Sequence, residues 1–191
     1  MTKKSPSKRF DLLKLNTPLV FADGTEVYKE FKKKYITHKI GYFILAPSGA
    51  GKTHFVINQK EPHWIDGDEV WMSARAHPDN QWWLEPLDVI NEIDQRSDII
   101  TVEAKKLGFW IVGASNFWLK PDAIVLPDWR THKNWIAFRE KHNYDGGATT
   151  ENLKQVTGHR NWIAKWKKQG VPSFKSMEEA TEFLEKKLIK N

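Results

Sequence analysis

Apolar residues in this chain fall into short continuous runs separated by stretches of helical period. KIGYFILA (39–46) and FWIVGAS (109–115) are uninterrupted and rich in β-branched and aromatic residues, the pattern of strands buried on both faces. AIVLP (123–127), after a turn at Lys120-Pro121-Asp122, reads as another strand, and HWID (63–66) as a shorter one. Between the first two lies PSGAGKTHFVINQK, which passes from small residues into a helix with Phe55 and Val56 inward, and EVWMSARA starts a second helix after the turn Gly67-Asp68. PDNQWW (78–83) is a loop. Leu87, Val89, Ile90, Ile93, Ile99, Ile100, Val102, Ala104 and Leu107 keep helical spacing, which predicts one or two helices from Glu85 to Leu107. Ser97 could cap the second, and Gly108 is the stop.

The flanks follow other patterns. Residues 1–9 read as a flexible basic tail, and LVFADGTEV as a strand and a turn at Asp23-Gly24 leading into a helix through YKEFKKKY. From Asp128 to Gly170 the chain is rich in Arg, Lys, His, Trp and Asn, so it is expected to be a helical, mobile, cationic lid rather than core. VPSF (171–174) closes the chain as an edge strand, followed by an amphipathic helix with Ser176 as cap and Glu179 three residues on. Strands alternating with helices predict parallel βαβ units, hence an α/β sheet with helices on both faces. The expected divisions are a tail and extension at 1–38, a core at 39–127, the lid at 128–170 and a closing strand and helix at 171–191.

Composition narrows the chemistry. The 191 residues suit one domain with modest extensions, and 40% hydrophobic content is enough to bury a core. A net charge of +6 favours polyanionic ligands, although solubility alone would account for it equally well. The absence of cysteine excludes disulfides, Cys-ligated zinc, iron–sulfur clusters and a thiol nucleophile. With no run of about 18 apolar residues and no signal-peptide pattern, the expectation is a soluble, cytoplasmic protein without a membrane partner. The seven His have no metal-binding spacing, so zinc has no support. The pattern says nothing of oligomeric state.

Residues 46–53, Ala46-Pro47-Ser48-Gly49-Ala50-Gly51-Lys52-Thr53, match the phosphate-binding loop GxxxxGK[ST] with Ala in place of the first Gly. Average usage gives this pattern about a one-in-a-hundred chance in a chain this long. Its place between a strand and a helix is the context the motif needs. Small residues let backbone N–H groups turn toward a phosphate, and the following helix adds its positive end. Lys52 would reach the β and γ oxygens of ATP. Thr53 would offer a hydroxyl to Mg²⁺, with Ser48, Gly49, Ala50, Gly51 and His54 completing the nucleotide site.

Other residues separate the classes that share this loop. A GTPase needs NKxD, and the nearest string, Asn58-Gln59-Lys60-Glu61, is misplaced and lacks the Asp. A motor ATPase needs a strand ending in carboxylates, whereas FWIVGAS ends in Ser115-Asn116. What remains is Trp64-Ile65-Asp66-Gly67-Asp68, where a second strand should end and its carboxylates can face the γ-phosphate. Such a carboxylate could take an acceptor hydroxyl's proton and hold its oxygen in line. A turn carboxylate that caps the helix at Glu69 is the bland alternative.

APSGAGKT followed by WIDGDEVW resembles the small hydroxyl-phosphorylating phosphate-loop (P-loop) kinases, such as adenylylsulfate and gluconate kinases and polynucleotide kinase. The closing VPSFKSMEEATEFL is similar to their last strand and helix. The resemblance covers residues 39–127 and, loosely, the C-terminal end. It implies a three-layer αβα sandwich with a mostly parallel five-stranded sheet, a helical lid, and ATP as donor. It also implies that Asp68 activates the acceptor while Asp66 orients acceptor or metal, and that lid arginines, here Arg130, Arg139 and Arg160, act on the transferring group.

Trp82, Trp83, Trp129, Trp135, Trp162 and Trp166, set among Lys, Arg, His and Asn, match the aromatic and cationic mix that stacks unpaired bases. Packing accounts for any one of them alone. Together with the basic charge they make nucleic acid the preferred acceptor, with Arg75, Trp82, Trp83 and Arg139 beside Asp66 and Asp68 as its contacts. Kinases of 5′-hydroxyls and viral kinases of 5-hydroxymethyluracil in DNA are families of that kind, and the latter would place the chain in an infected host cell. A small-molecule, nucleoside or nucleotide kinase is the second reading, and a non-catalytic nucleotide-binding module the third.

Overall fold

The computed structural model describes residues 19–21, 23–78, 81–142 and 147–189; the basic tail at 1–9 lies outside them. The apolar runs become β1 (Tyr42–Leu45), β2 (Trp64–Asp66), β3 (Trp110–Gly113) and β4 (Ala123–Val125), and Ser173–Phe174 adds β5. They form one sheet in the order β2-β3-β1-β4-β5, and every neighbouring pair is parallel. The register places Leu45 beside Gly113 and Asp66 beside Val112, so the C-terminal ends of β1, β2 and β3 share one edge.

Strand alternation divides the core between two faces. Phe43, Leu45, Ile65, Ile111 and Ile124 pack against α1 (Val27–Lys34), α3 (Gly67–Ser73) and α4 (Leu87–Lys106). Tyr42, Ile44, Trp64, Trp110, Val112 and Val125 pack on the other side with Phe55 and Val56 of α2 (Lys52–Asn58) and Ala180 and Leu184 of α7 (Met177–Ile189). This α/β arrangement is compatible with three layers. Each fully buried Leu, Ile or Phe contributes about 1.5–3 kcal/mol. At the start of α7, Ser176 Oγ accepts the Glu179 N–H at 3.2 Å, as expected, while Glu179 reaches back to the Lys175 N–H at 2.9 Å.

Four expectations are corrected. Residues 87–106 form one helix; Ser97 is fully buried within it and donates to Ile93 O at 2.9 Å, so no second cap forms. The turn at Gly67-Asp68 is the first turn of α3, because Asp66 caps that helix. The strand at LVF shrinks to a single antiparallel bridge between Val20 and Glu26. Finally, the lid, with helices α5 (Trp129–Lys141) and α6 (Leu153–Ala164), is not wholly separate from the core: Ile163 of α6 and Trp166 just after it belong to the larger cluster. Ile136 of α5 packs instead with Ala148 and Val156 in a small cluster of its own. Trp166 is buried and its Nε1–H donates to Asn116 Oδ1 at 3.0 Å, so it is not free to stack on a base.

Candidate active site

The loop after β1 turns on two glycines. Gly49 (φ 80°) and Gly51 (φ 86°) hold left-handed conformations that a side chain would strain, and Ala46 N–H anchors the loop to Gly113 O at 2.8 Å. Gly51 precedes α2, with open space where a Cβ would stand. Lys52 is buried, and its Nζ donates to Pro47 O at 3.2 Å. Burial pushes its pKa down, the charges of Asp68 and then Asp66 work against that shift, and Arg139 adds to it. All four groups are therefore within electrostatic reach of one another.

Thr53 Oγ1 donates to Asp66 Oδ2 at 2.7 Å, which joins the first turn of α2 to the end of β2. Asp66 Oδ1 accepts the Asp68 N–H at 3.2 Å as the N-cap of α3. Burial raises the Asp66 pKa, and Asp68 raises it further; Lys52 and the bonds from Thr53 and Asp68 oppose the shift. Asp68 itself is exposed. A cleft of about 580 Å³ opens beside these groups, lined by Thr53, Asp66, Asp68, Glu69, Lys34 and Lys60 among others. Its floor is acidic, with Lys34 and Lys60 as its cations.

The lid clamps the first half of the loop. His132 on α5 contacts Ser48 O through Nε2 at 2.8 Å, and Arg160 on α6 contacts His132 Nδ1 at 2.9 Å. Arginine can only donate, so Nδ1 carries the lone pair and the Nε2–H donates to the Ser48 carbonyl. That tautomer is neutral, and burial accordingly lowers the His132 pKa to about 4. Arg160 also donates to Pro127 O at 2.7 Å, and Ser48 Oγ accepts the Ala148 N–H at 2.9 Å. A Cβ on Gly49 would come within 2.9 Å of Ile136 Cγ1, so only glycine fits under the lid. His159 bonds the Ala114 backbone, and burial, helped by the charge of Lys52, lowers its pKa to about 4.

A second polar group lies where β3 ends. Ser115 Oγ bonds Asp94 Oδ1 and lies 3.0 Å from Ser97 Oγ, which in turn contacts His77 Nε2 at 2.8 Å. His77 Nδ1 stands 4.0 Å from Asp68 Oδ1. Each hydroxyl has one proton, and Ser97 gives its own to Ile93 O. Every contact is satisfied if a protonated Asp94 donates to Ser115, Ser115 donates to Ser97, and the His77 Nε2–H donates to Ser97. Burial raises the Asp94 pKa to about 7, consistent with that accounting, and lowers that of His77 to about 3.

The structure thus brings Ser48, Gly49, Ala50, Gly51, Lys52, Thr53, Asp66 and Asp68 to one edge of the sheet, with the charge of Arg139 felt there. The other candidates lie elsewhere or have other partners. His54 is exposed on α2, Arg130 is exposed at the start of α5, and Arg75 is exposed beyond α3 with φ 56°. Trp82 packs on Val89 and Ile93 and against the His77 ring, with centroids 4.6 Å apart, and Trp83 meets Trp82 edge-on. The motif reading did not single out His132, His77, Ser115 or Asp94. The available signal was polar residues on the apolar stripe of α4, where Ser97, Asp98 and Thr101 are buried with Ile93 and Ile100.

Among the described residues no group of three or more His, Asp or Glu is placed to hold a metal ion. No helix among them is long and apolar enough to cross a membrane. No family model matches the chain, no curated protein is detectably similar to it, and no solved structure matches it.

Proposed function

We propose that the protein is an ATP- and Mg²⁺-dependent phosphate-loop kinase that transfers the γ-phosphoryl group to a hydroxyl, with nucleic acid as the preferred acceptor. The observation that carries this reading is the meeting of Lys52, Thr53, Asp66 and Asp68 at one edge of the sheet, joined by the Thr53–Asp66 bond of 2.7 Å. Two oxygen donors beside an open, glycine-turned loop fit a magnesium nucleotide: Thr53 and Asp66 would hold the ion, the phosphates supplying further oxygens. The ion, held by Thr53 and Asp66, would supply positive charge to offset that of the phosphates.

The chain's own residues have distinct tasks. Lys52 exchanges its bond to Pro47 O for phosphate oxygens and offsets the charge that develops on them. Asp68, exposed at the mouth of the cleft, orients the acceptor hydroxyl. As the acceptor oxygen bonds to the γ-phosphorus and the bond to ADP breaks, Asp68 takes the hydroxyl proton. Arg139 adds positive charge on the lid side. The His132 and Arg160 clamp holds Ser48 and Gly49 in the turned conformation, so less ordering is left to nucleotide binding.

A small-molecule acceptor is the second reading, favoured by the size of the cleft, which has room for about one nucleoside-sized unit. The two readings separate on incubation with γ-labelled ATP, Mg²⁺ and a panel of 5′-hydroxyl oligonucleotides, DNA with hydroxymethylated pyrimidines, and free nucleosides, nucleotides and sugars. Label on polymer supports the first and label only on small molecules the second. If no acceptor is labelled while ATP still stabilises the fold, and Asp68→Asn changes nothing, the protein is a non-catalytic nucleotide-binding module.

A further inference from the structure

The loop that leaves β3 is pinned in an unusual way. Asp98 on α4 is fully buried, and its Oδ2 accepts three successive backbone N–H groups, from Phe117 at 3.0 Å, Trp118 at 2.6 Å and Leu119 at 2.9 Å. A carboxylate used in this way fixes the backbone of the turn it binds. Yet the Trp118 side chain on this fixed turn is 50% exposed. An exposed tryptophan on a mobile loop needs no explanation. One held out to solvent by a rigid support forgoes burial of a large apolar surface and points to a partner.

Its neighbours specify which partner. Phe117 stacks on Trp162 of α6 with centroids 6.4 Å apart, and Lys165 lies 5.0 Å above the Trp162 ring. Lys120 donates to Gln169 O at 2.8 Å, and Trp166 bonds Asn116, so the loop and the end of the lid form one surface. Lys120, Lys165, Lys167 and Lys168 are exposed on those two segments. The sequence holds no Asp or Glu from Asn152 to Met177, nor from Ala114 to Pro121. An exposed aromatic on fixed backbone, on segments that carry exposed lysines and no acids of their own, matches an unpaired nucleic-acid strand, whose bases stack while its phosphates meet lysine.

We propose that residues 117–120 and 162–168 form a platform for single-stranded nucleic acid, with Trp118 stacking on a base and Lys120, Lys165 and Lys168 lying along the phosphates. This deepens the kinase reading, since β3 leads from the edge that carries Lys52 and Asp68 straight into the platform. It also moves the strand away from Trp82 and Trp83, whose rings are engaged in packing.

The test is binding of a fluorescently labelled oligothymidylate of about 12 nucleotides, without ATP, followed by anisotropy at several salt concentrations. Trp118→Ala should weaken binding about tenfold or more, Trp118→Tyr should restore most of it, and both should melt like the parent protein. Lys165→Glu with Lys168→Glu should flatten the dependence on salt. Equal binding by the parent and Trp118→Ala, no binding by the parent, or loss in Trp135→Ala instead of Trp118→Ala would each overturn the platform. Failure of the kinase reading is visible separately: a strand bound through Trp118 with no stabilisation of the fold by ATP leaves the platform standing alone. ATP binding and labelling of free nucleosides without strand binding leaves the kinase alone.

Discussion

The sheet-borne half of the site and the lid above it are built on opposite principles. Beneath, Asp66 ends β2 while Lys52 and Asp68 stand in the first turns of α2 and α3, close after buried strands that run in register, so their positions follow from backbone geometry. Above, the lid is fixed by side-chain bonds: His132 to Ser48, Arg160 to His132, Ala148 to Ser48. The charges are opposed as well. Residues 128–170 carry nine Lys and Arg against four Asp and Glu, a net of +5. Residues 19–127 and 171–189 carry fifteen against nineteen, a net of −4. On the kinase reading proposed above, the basic lid would attract a polyanion while the acidic cleft beside Thr53, Asp66 and Asp68 would serve metal and proton.

That contrast can be broken from either side. The largest effect is expected beneath: Lys52→Ala should lower phosphoryl transfer by about a thousandfold or more with the fold intact by circular dichroism. Retained transfer would remove the loop from the chemistry. Asp68→Asn should cut turnover about a hundred- to ten-thousandfold with little change in ATP affinity. If Asp66→Asn does this instead, the roles of the two carboxylates are exchanged. From above, His132→Ala removes both the bond to Ser48 O and the one from Arg160. The bond to the loop is worth about 1 kcal/mol, so ATP affinity should fall about fivefold with turnover nearly unchanged.

Smaller effects appear in stability against pH. Burial lowers the pKa values of His38, His132 and His159 to about 4 and that of His77 to about 3. Their contribution is complete above the ordinary value near 6.5 and is lost as pH falls toward 4. Asp94, lifted to about 7, acts the other way: its contribution is complete below about 4 and is lost as pH rises through 7. Asp94→Asn, which mimics the protonated carboxyl, should raise the melting temperature by about 2–4 °C at pH 8 and change little below about pH 4, where the carboxyl is protonated folded and unfolded alike. The smallest effect is expected from deleting residues 1–9. Each of its four cations that meets phosphate contributes about 0.9 to the salt slope of strand binding, and an unchanged slope would leave the tail a bystander.

The difference between the two halves also explains what could be read from the sequence. Runs such as YFIL and WIVG have the period of buried strands, and the glycines of the loop announce the turn they must make, so the sheet and the Lys52–Asp66 edge were legible. The lid was not. Trp166 and Ile163 sit among Lys and Asn in sequence, yet their neighbours point outward while they enter the core. Helical period was clear in α4, but Ser97 there looked like a cap, because a serine on an apolar stripe is read as a break unless its buried partners are known. Those partners, His77 and Ser115, are about twenty residues away on either side. Contacts of this kind depend on tertiary approach, which no local pattern encodes.

The triple bond at Asp98 has a consequence for how the molecule breathes. Loop amides usually exchange with solvent deuterium through small local openings, at rates unrelated to the nearest helix. The amides of Phe117, Trp118 and Leu119 are tied instead to a residue in the middle of α4. The other end of that helix is held by Lys105, bonded at 2.6 Å to Asp122, whose carboxylate also accepts the Phe43 N–H of β1 at 2.7 Å. These three amides should therefore exchange slowly and in step with the helix, as one cooperative unit that reports from the surface on the integrity of the interior.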